Sequence, residues 1–320
     1  MEIVPTVRVP SLAKLNLTLD VIGKRPDGFH ELRSLFQTIS LADEIEIDWR
    51  PARRTSLTID CTPAIPDNII LRAAEAVLAA LKRKASLRFT VRKRIPMGAG
   101  LGGGSSNAAA VLLALPPLLG KPLPLPRLLE IAAQLGSDVP FFLLGGTALV
   151  MGRGEELYPF PEPKVSDGVL IAPGIHVSTP DAYRALGRPP LTRIDASRII
   201  NSFQLLSWDF GEGLPVSSWR GACRNDFEAV VFRQHPQIRE WKKKLLATGA
   251  PVALMTGSGS AVFAFFANRI DARHAAKSFP ATATHLFRTV NRAQYRALWR
   301  KALGLDARAT SWPPLSWYAE

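Results

Sequence analysis

Residues 96–110 read PMGAGLGGGSSNAAA. Five glycines (Gly98, Gly100, Gly102, Gly103 and Gly104) fall within seven positions, and Ser105 and Ser106 open an alanine-rich run. Glycine reaches backbone angles closed to other residues and lets main-chain N–H groups come close to a ligand. A helix starting at the serines presents unsatisfied N–H groups and the positive end of its dipole. The stretch therefore reads as strand, loop and helix, with Pro96, Met97, Gly98, Ala99, Gly100, Leu101, Gly102, Gly103, Gly104, Ser105 and Ser106 forming a cradle for a phosphate chain. GAGLGG does satisfy G-x-G-x-x-G, but three consecutive glycines and paired serines are surplus to a dinucleotide fingerprint, which is weak alone. No lysine precedes the serines, so the loop is not of the GxxxxGK[ST] type. A flexible linker would not sit so tightly between a strand and a helix.

Upstream, residues 44–49 and, in part, 15–21 alternate apolar and polar, and 86–91 does the same and leads straight into the loop. Asp67 and Asn68 offer an N-cap to a helix over 69–81. Downstream, a helix is predicted over 126–135, with a proline near its start and Gly136 just past its end. Residues 139–150 read as buried structure around a glycine pair. Residues 159–167 carry three prolines and mark the expected boundary between domains at 1–160 and 161–290. Beyond it come strands at 168–175, 252–255 and 261–266 and helices at 225–232 and 236–246. A last helix, capped by Asn291 and ending at Gly304, sets Arg292, Arg296 and Arg300 on one face as a solvated stripe, and Tyr295, Leu298 and Trp299 on the other. Residues 291–320 form an extension.

At 320 residues, 47% hydrophobic and 21% charged, the chain suits two globular domains. Its longest nearly apolar run, 139–151, is thirteen residues, short of the roughly 18 that cross a bilayer. The N-terminus lacks the layout of a secretory signal. Cys61 and Cys223 match neither a metal spacing nor a disulfide framework, and the cytoplasm is the expected location. A net charge of +13 fits nucleic acid or polyanionic small substrates equally. No nucleic-acid motif or aromatic platform accompanies the basic clusters, which read as solvated surface.

GLGGGSSNAA, residues 100–109, is similar to the signature loop of the GHMP kinases, and three further motifs and one additional stretch extend the resemblance. AKLNLTLDVIGKRPDGFHELRSLFQTISLAD (13–43) and LGSDVPFFLLGGTALVMGRGEEL (135–157) resemble two motifs of the branch that acts on a cytidine-diphosphate-linked methylerythritol. MTGSGSAVFAFF (255–266) resembles the third glycine motif of the superfamily, and NDFEAVVFRQHPQI (225–238) is similar to the same branch. Four separated motifs in order, over about residues 6–290, make the match specific.

That resemblance implies an α+β, two-domain GHMP kinase fold with the active site in a cleft between the domains. It implies ATP with Mg²⁺ as cofactors, metal ligands unassigned, and phosphorylation of the 2-hydroxyl of the cytidine-linked alcohol in the non-mevalonate route to isoprenoids. Asp138 matches the family's catalytic aspartate and is assigned as general base. Lys14 matches its active-site lysine, able to stabilise charge on the substrate oxygen. Asn16, two residues on, faces the same side of a strand as Lys14 and is a substrate-binding candidate. Phe29 and His30 match the pair that holds the cytosine ring, with Phe29 in place of the commoner tyrosine. The expected partner is a small molecule, with no nucleic acid and no membrane. Homoserine or mevalonate kinase is the nearest alternative, which the PDGFH segment (26–30) disfavours because those substrates carry no base to stack. A nicotinamide dehydrogenase and a nucleic-acid-binding protein on a kinase fold are weaker alternatives.

Overall fold

The computed structural model describes residues 6–190, 197–305, 311–314 and 316–317. Its organising feature is a long antiparallel hairpin of β1 (Thr6–Lys24) and β2 (His30–Pro51). β1 feeds all three apolar clusters: Val9 and Leu12 enter one, Ala13, Leu15 and Leu17 a second, and Leu19 and Val21 a third. A strand covered on both faces reads as a continuous apolar run rather than an alternation, which is why 15–21 alternates only in part.

β3 (Ser56–Thr62) and β4 (Ala85–Arg92) extend the sheet beyond β2, and α1 (Ile69–Leu81) connects them. Asn68 caps α1, its side chain accepting from the Ile70 amide at 3.1 Å. After the glycine loop, α2 (Gly103–Leu118) is buried from Ser106 to Pro116, so its small side chains let neighbouring elements close on every side. β5 (Leu123–Pro124), α3 (Leu125–Leu135) and the six-residue α4 (Val139–Leu144) follow, and β6 (Thr147–Gly152) and β7 (Glu156–Pro159) complete this part of the sheet against β2.

The second half is built on an antiparallel sheet of β8 (Asp167–Ile171), which ends earlier than the sequence suggests because Pro173 and Gly174 follow. α5 (Thr179–Leu186) and α6 (Ser197–Gly211) come next, then β9 (Arg224–Asn225), which crosses back to pair in parallel with β1 at Thr18 and Leu19. The helix expected from Asn225 accordingly starts later, as α7 (Glu228–Gln234). Asn225 is instead spent on a turn, its amide donating to the Met255 and Gly257 carbonyls at 2.8 Å each. α8 (Pro236–Ala247), β10 (Val252–Met255), β11 (Val262–Phe266), α9 (Arg269–Ala276) and β12 (Thr284–Arg288) finish this half, in sheet order β10-β11-β8-β12.

The last helix, α10 (Arg292–Ala302), has a full capping box between Asn291 and Gln294. Tyr295 and Trp299 are each 1% exposed and join the core of the first half, whereas Leu298 is 43% exposed and stays outside it. The arginine stripe is not solvated as expected. Arg292, Arg296 and Arg300 are half-buried, and the Arg292 guanidinium donates to the Thr147 carbonyl and faces Glu162 at 3.4 Å. The Trp312 ring meets Arg296, while the helix face open to water carries Gln294, Ala297, Leu298 and Lys301. β13 (Ser316–Trp317) then pairs with β5. Among the described residues, no helix is long and apolar enough to cross a membrane.

Candidate active site

Lys14 lies where the β1–β2 register breaks, between Leu12 and Lys14 and again between Asn16 and Thr18. Such irregularities re-aim side chains and free backbone groups. Here the Lys14 amide leaves the ladder and donates to Leu101 of the glycine loop at 3.1 Å. The Lys14 side chain is buried, with its ammonium 4.4 Å from the centroid of the Phe36 ring, 2.7 Å from Asn16 Oδ1 and 3.6 Å from Asp138 Oδ2. Burial holds this ammonium below the usual lysine range, and the Asp138 charge opposes that only in part.

Asp138 is the N-cap residue of α4 and is partly open to solvent. It shares a cavity of about 200 Å³ with Lys14, Asn16, Ser34 and Phe36 from the first half and Thr179, Tyr183 and Ser258 from the second. Asn16 lines this cavity, but its carboxamide is heavily engaged by the protein. Its oxygen accepts from Lys14, from the Gly257 amide at 2.9 Å and from the Thr256 hydroxyl at 3.2 Å, and its nitrogen donates to Ser34 at 2.9 Å. Asn16 thereby fixes the lysine and ties β1 to the 256–258 turn.

A second cavity, of about 470 Å³, opens on the other side of the loop, walled by residues 96–105 with Ile65, Asp67, Asn68, Lys93 and Asn107. Gly100 and Gly102 line both cavities, and both hold left-handed backbone angles (φ +77° and +69°). At Gly100 there is also no room for a side chain, since a Cβ would stand 2.3 Å from the Thr256 carbonyl oxygen. Gly104, by contrast, faces open space. Ser105 lies on the wall, whereas Ser106 turns into the core, where its hydroxyl accepts from Ser11 at 2.8 Å.

The expected base-holding pair divides. His30 stacks on Tyr183 with ring centroids 4.6 Å apart. Phe29 is 55% exposed, outside the cavity wall, with the Arg153 guanidinium 4.9 Å from its ring centroid. Burial lowers the His30 imidazole, with the Lys24 charge adding to the effect. Burial, with the Asp138 charge adding, raises the Tyr183 phenol well above the usual tyrosine range.

Two family models match this chain, the GHMP kinases N terminal domain over residues 68–146 and the GHMP kinases C terminal over 209–284. A protein of Solibacter usitatus (strain Ellin6076), named 4-diphosphocytidyl-2-C-methyl-D-erythritol kinase, is 50% identical over 312 residues, covering 96% of each chain. The chain belongs to this family of GHMP kinases. A namesake from Citrifermentans bemidjiense is 43% identical, over 82% of this chain and 91% of its own. A crystal structure of 4-(cytidine 5'-diphospho)-2C-methyl-D-erythritol kinase superposes with a TM-score of 0.74 at 36% identity, covering 88% and 98% of the two chains. Homoserine kinase from Cytophaga hutchinsonii, at 20% identity and a TM-score of 0.69, shares the fold.

For a GHMP kinase of this family the sequence reading missed several residues in or behind the walls of the two cavities. Tyr183 contributes an aromatic wall from α5, a helix with no motif to flag it. Asp43, fully buried, accepts from the Arg94 and Ile95 amides at 2.7 and 2.9 Å and pairs with Lys93, so it holds the entry to the glycine loop. Phe142 of α4 lies beneath the loop, within 3.0 Å of where a Gly102 Cβ would stand, beside the stem of Lys14. Along the strand nothing sets Asp43 apart from Glu44, Glu46 and Asp48, and only its burial does so.

Proposed function

We propose that this kinase transfers the γ-phosphoryl group of ATP to the 2-hydroxyl of 4-diphosphocytidyl-2-C-methyl-D-erythritol. The observation that carries the reading is a buried lysine and a carboxylate, 3.6 Å apart, in a cavity that shares Gly100 and Gly102 with the glycine loop. Asp138 takes the hydroxyl proton as the alcohol oxygen attacks phosphorus. The Lys14 ammonium stabilises the charge that gathers on the transferring group, and the loop amides hold the phosphates. That both halves of the chain line the acceptor cavity supports a cleft between domains at 1–160 and 161–290, with 291–320 as an extension.

Magnesium fits this site as a nucleotide-borne ion. Among the described residues no cluster of three or more His, Cys, Asp or Glu could hold a metal alone, and magnesium needs only one or two protein ligands beside phosphates and water. Ser105 is the loop residue in place to reach it, and when bound it would neutralise phosphate charge. Tyr183 and Phe29 offer aromatic faces for the cytosine, and His30, braced on Tyr183, an edge to read it. Two free, well-separated thiols support a cytoplasmic site of action. The net charge of +13 suits two polyanionic ligands without a nucleic-acid partner.

The test is ATP consumption by the purified protein with the cytidine-linked alcohol, methylerythritol phosphate, homoserine and mevalonate. Turnover confined to the cytidine-linked alcohol is expected. Equal use of the base-free alcohols would overturn the substrate assignment.

A further inference from the structure

Helix α4 is too short to have an interior, so its terminal carbonyls depend on partners from elsewhere. The Gly145 amide closes one bond, to the Phe141 carbonyl at 2.9 Å. The next two carbonyls are taken by the C-terminal extension. The Tyr295 hydroxyl donates to Phe142 O, and the Trp312 indole N–H donates to Leu143 O at 2.8 Å. Both donors are held in turn. Tyr295 and Trp312 meet edge to face at 6.1 Å, and the Arg296 guanidinium sits 5.5 Å from the centroid of the Trp312 ring.

The fit extends to the glycine pair that ends α4. A Cβ on Gly145 would stand 2.3 Å from the Tyr295 ring, and one on Gly146 would stand 2.7 Å from the Arg292 amide. Glu162 fastens the two segments together, accepting from the Arg292 amide at 3.1 Å and the Thr147 hydroxyl at 2.7 Å. At its other end α4 carries Asp138, and in its middle the Phe142 ring supports Gly102 and the Lys14 stem.

We propose that Tyr295 and Trp312 are positioning residues for phosphoryl transfer, acting through α4 to set Asp138 against Lys14 and the glycine loop. This rests on the function proposed above. A base displaced by a fraction of an ångström loses rate before it loses binding, so the signature is in kcat.

The experiment compares the parent with Tyr295→Phe, Trp312→Phe and the double variant, with Gln294→Ala as control. Tyr295→Phe keeps the ring on Gly145 and removes only the hydroxyl. Gln294→Ala weakens the α10 cap without touching α4. Amide exchange over residues 138–145 and steady-state kinetics are measured on each protein, with its melting temperature. In the double variant, exchange should quicken and kcat fall by about tenfold each, with both KM values within about twofold of the parent. The control should lose melting temperature alone. Unchanged exchange, unchanged kcat, or a kcat loss in the control equal to that of the double variant would each overturn the proposal. A parent inactive on the cytidine-linked alcohol would instead overturn the functional reading, whatever the exchange shows.

Discussion

The two cavities that meet at Gly100 and Gly102 are made of different materials. The larger is walled mostly by one unbroken stretch, residues 96–105, rich in glycine, whose main chain a ligand can approach closely. The smaller is walled by side chains from at least six separate stretches of both halves, Lys14, Phe36, Asp138, Tyr183, Phe227 and Ser258 among them. A site built from backbone needs only a loop of permissive residues, whereas a site built from side chains needs the whole fold to bring them together. The two should therefore fail differently when mutated.

Asp138→Asn is expected to do most damage, and on one side alone. It keeps the shape of the acceptor cavity and removes the base, so kcat should fall by roughly 10²–10⁴-fold with ATP binding intact. Steady-state kinetics and calorimetry check the two halves of this statement, and a parental turnover rate would remove Asp138 from the chemistry.

The loop offers two sharper cuts. Gly104→Val puts a side chain into open space on the nucleotide side, and should lower kcat/KM for ATP by about 10²-fold while the alcohol still binds. Gly100→Ala drives a Cβ into the Thr256 carbonyl at the seam, and should weaken both ligands together. If Gly100→Ala spared the alcohol in calorimetry, the two cavities would be independent rather than joined.

Aromatic contacts on the acceptor side should matter less, and unequally. Tyr183 lines the cavity and Phe29 does not, so Tyr183→Ala should lose about 1–3 kcal/mol of substrate binding and Phe29→Ala less. KM for ATP should stay put in both. A larger penalty at Phe29 would mean that the substrate draws its ring inward, away from Arg153.

The smallest expected effect is on stability against pH. Because burial lowers the native pKa of Lys14, the unfolded chain binds more protons than the native one between the lowered value and lysine's ordinary value, so this residue's contribution to stability rises with pH through that window. Below the window the buried charge costs stability. Lys14→Met should thus melt no lower than the parent at pH 7 while losing its activity, and its advantage should shrink as the pH approaches 10. A marked drop in melting temperature at pH 7 would show that the ammonium stabilises the fold. The alkaline limb of the parent's kcat/KM profile should likewise fall below ordinary lysine's.

Much of this architecture could be read along the chain. The helix over 69–81 with its Asn68 cap, the loop and α2, and the Asn291 cap of the last helix were all legible, because caps and glycine loops act over a few residues. Asn225 defeated the same logic. It looks like a helix opener, yet its pairing with Leu19 of β1, far away in sequence, claims it for a strand. The solvated face expected for Arg292, Arg296 and Arg300 failed for a similar reason, since Thr147 and Glu162 meet Arg292 and the Trp312 ring meets Arg296.

The sequence by itself determined the family and the glycine loop between strand and helix, and it singled out Lys14 and Asp138. Each is carried by a local string whose residue types have few other uses. Only the tertiary structure decided that Lys14 is buried beside Asp138, that the Asn16 carboxamide ties Lys14 to the 256–258 turn, that Tyr183 walls the cavity, and that the C-terminal extension closes the carbonyls of α4. The physical reason is range. Backbone permissiveness and capping are settled within a turn of helix. The burial of a charge, or a donor for a stranded carbonyl, depends on what residues more than a hundred positions away bring to the same point.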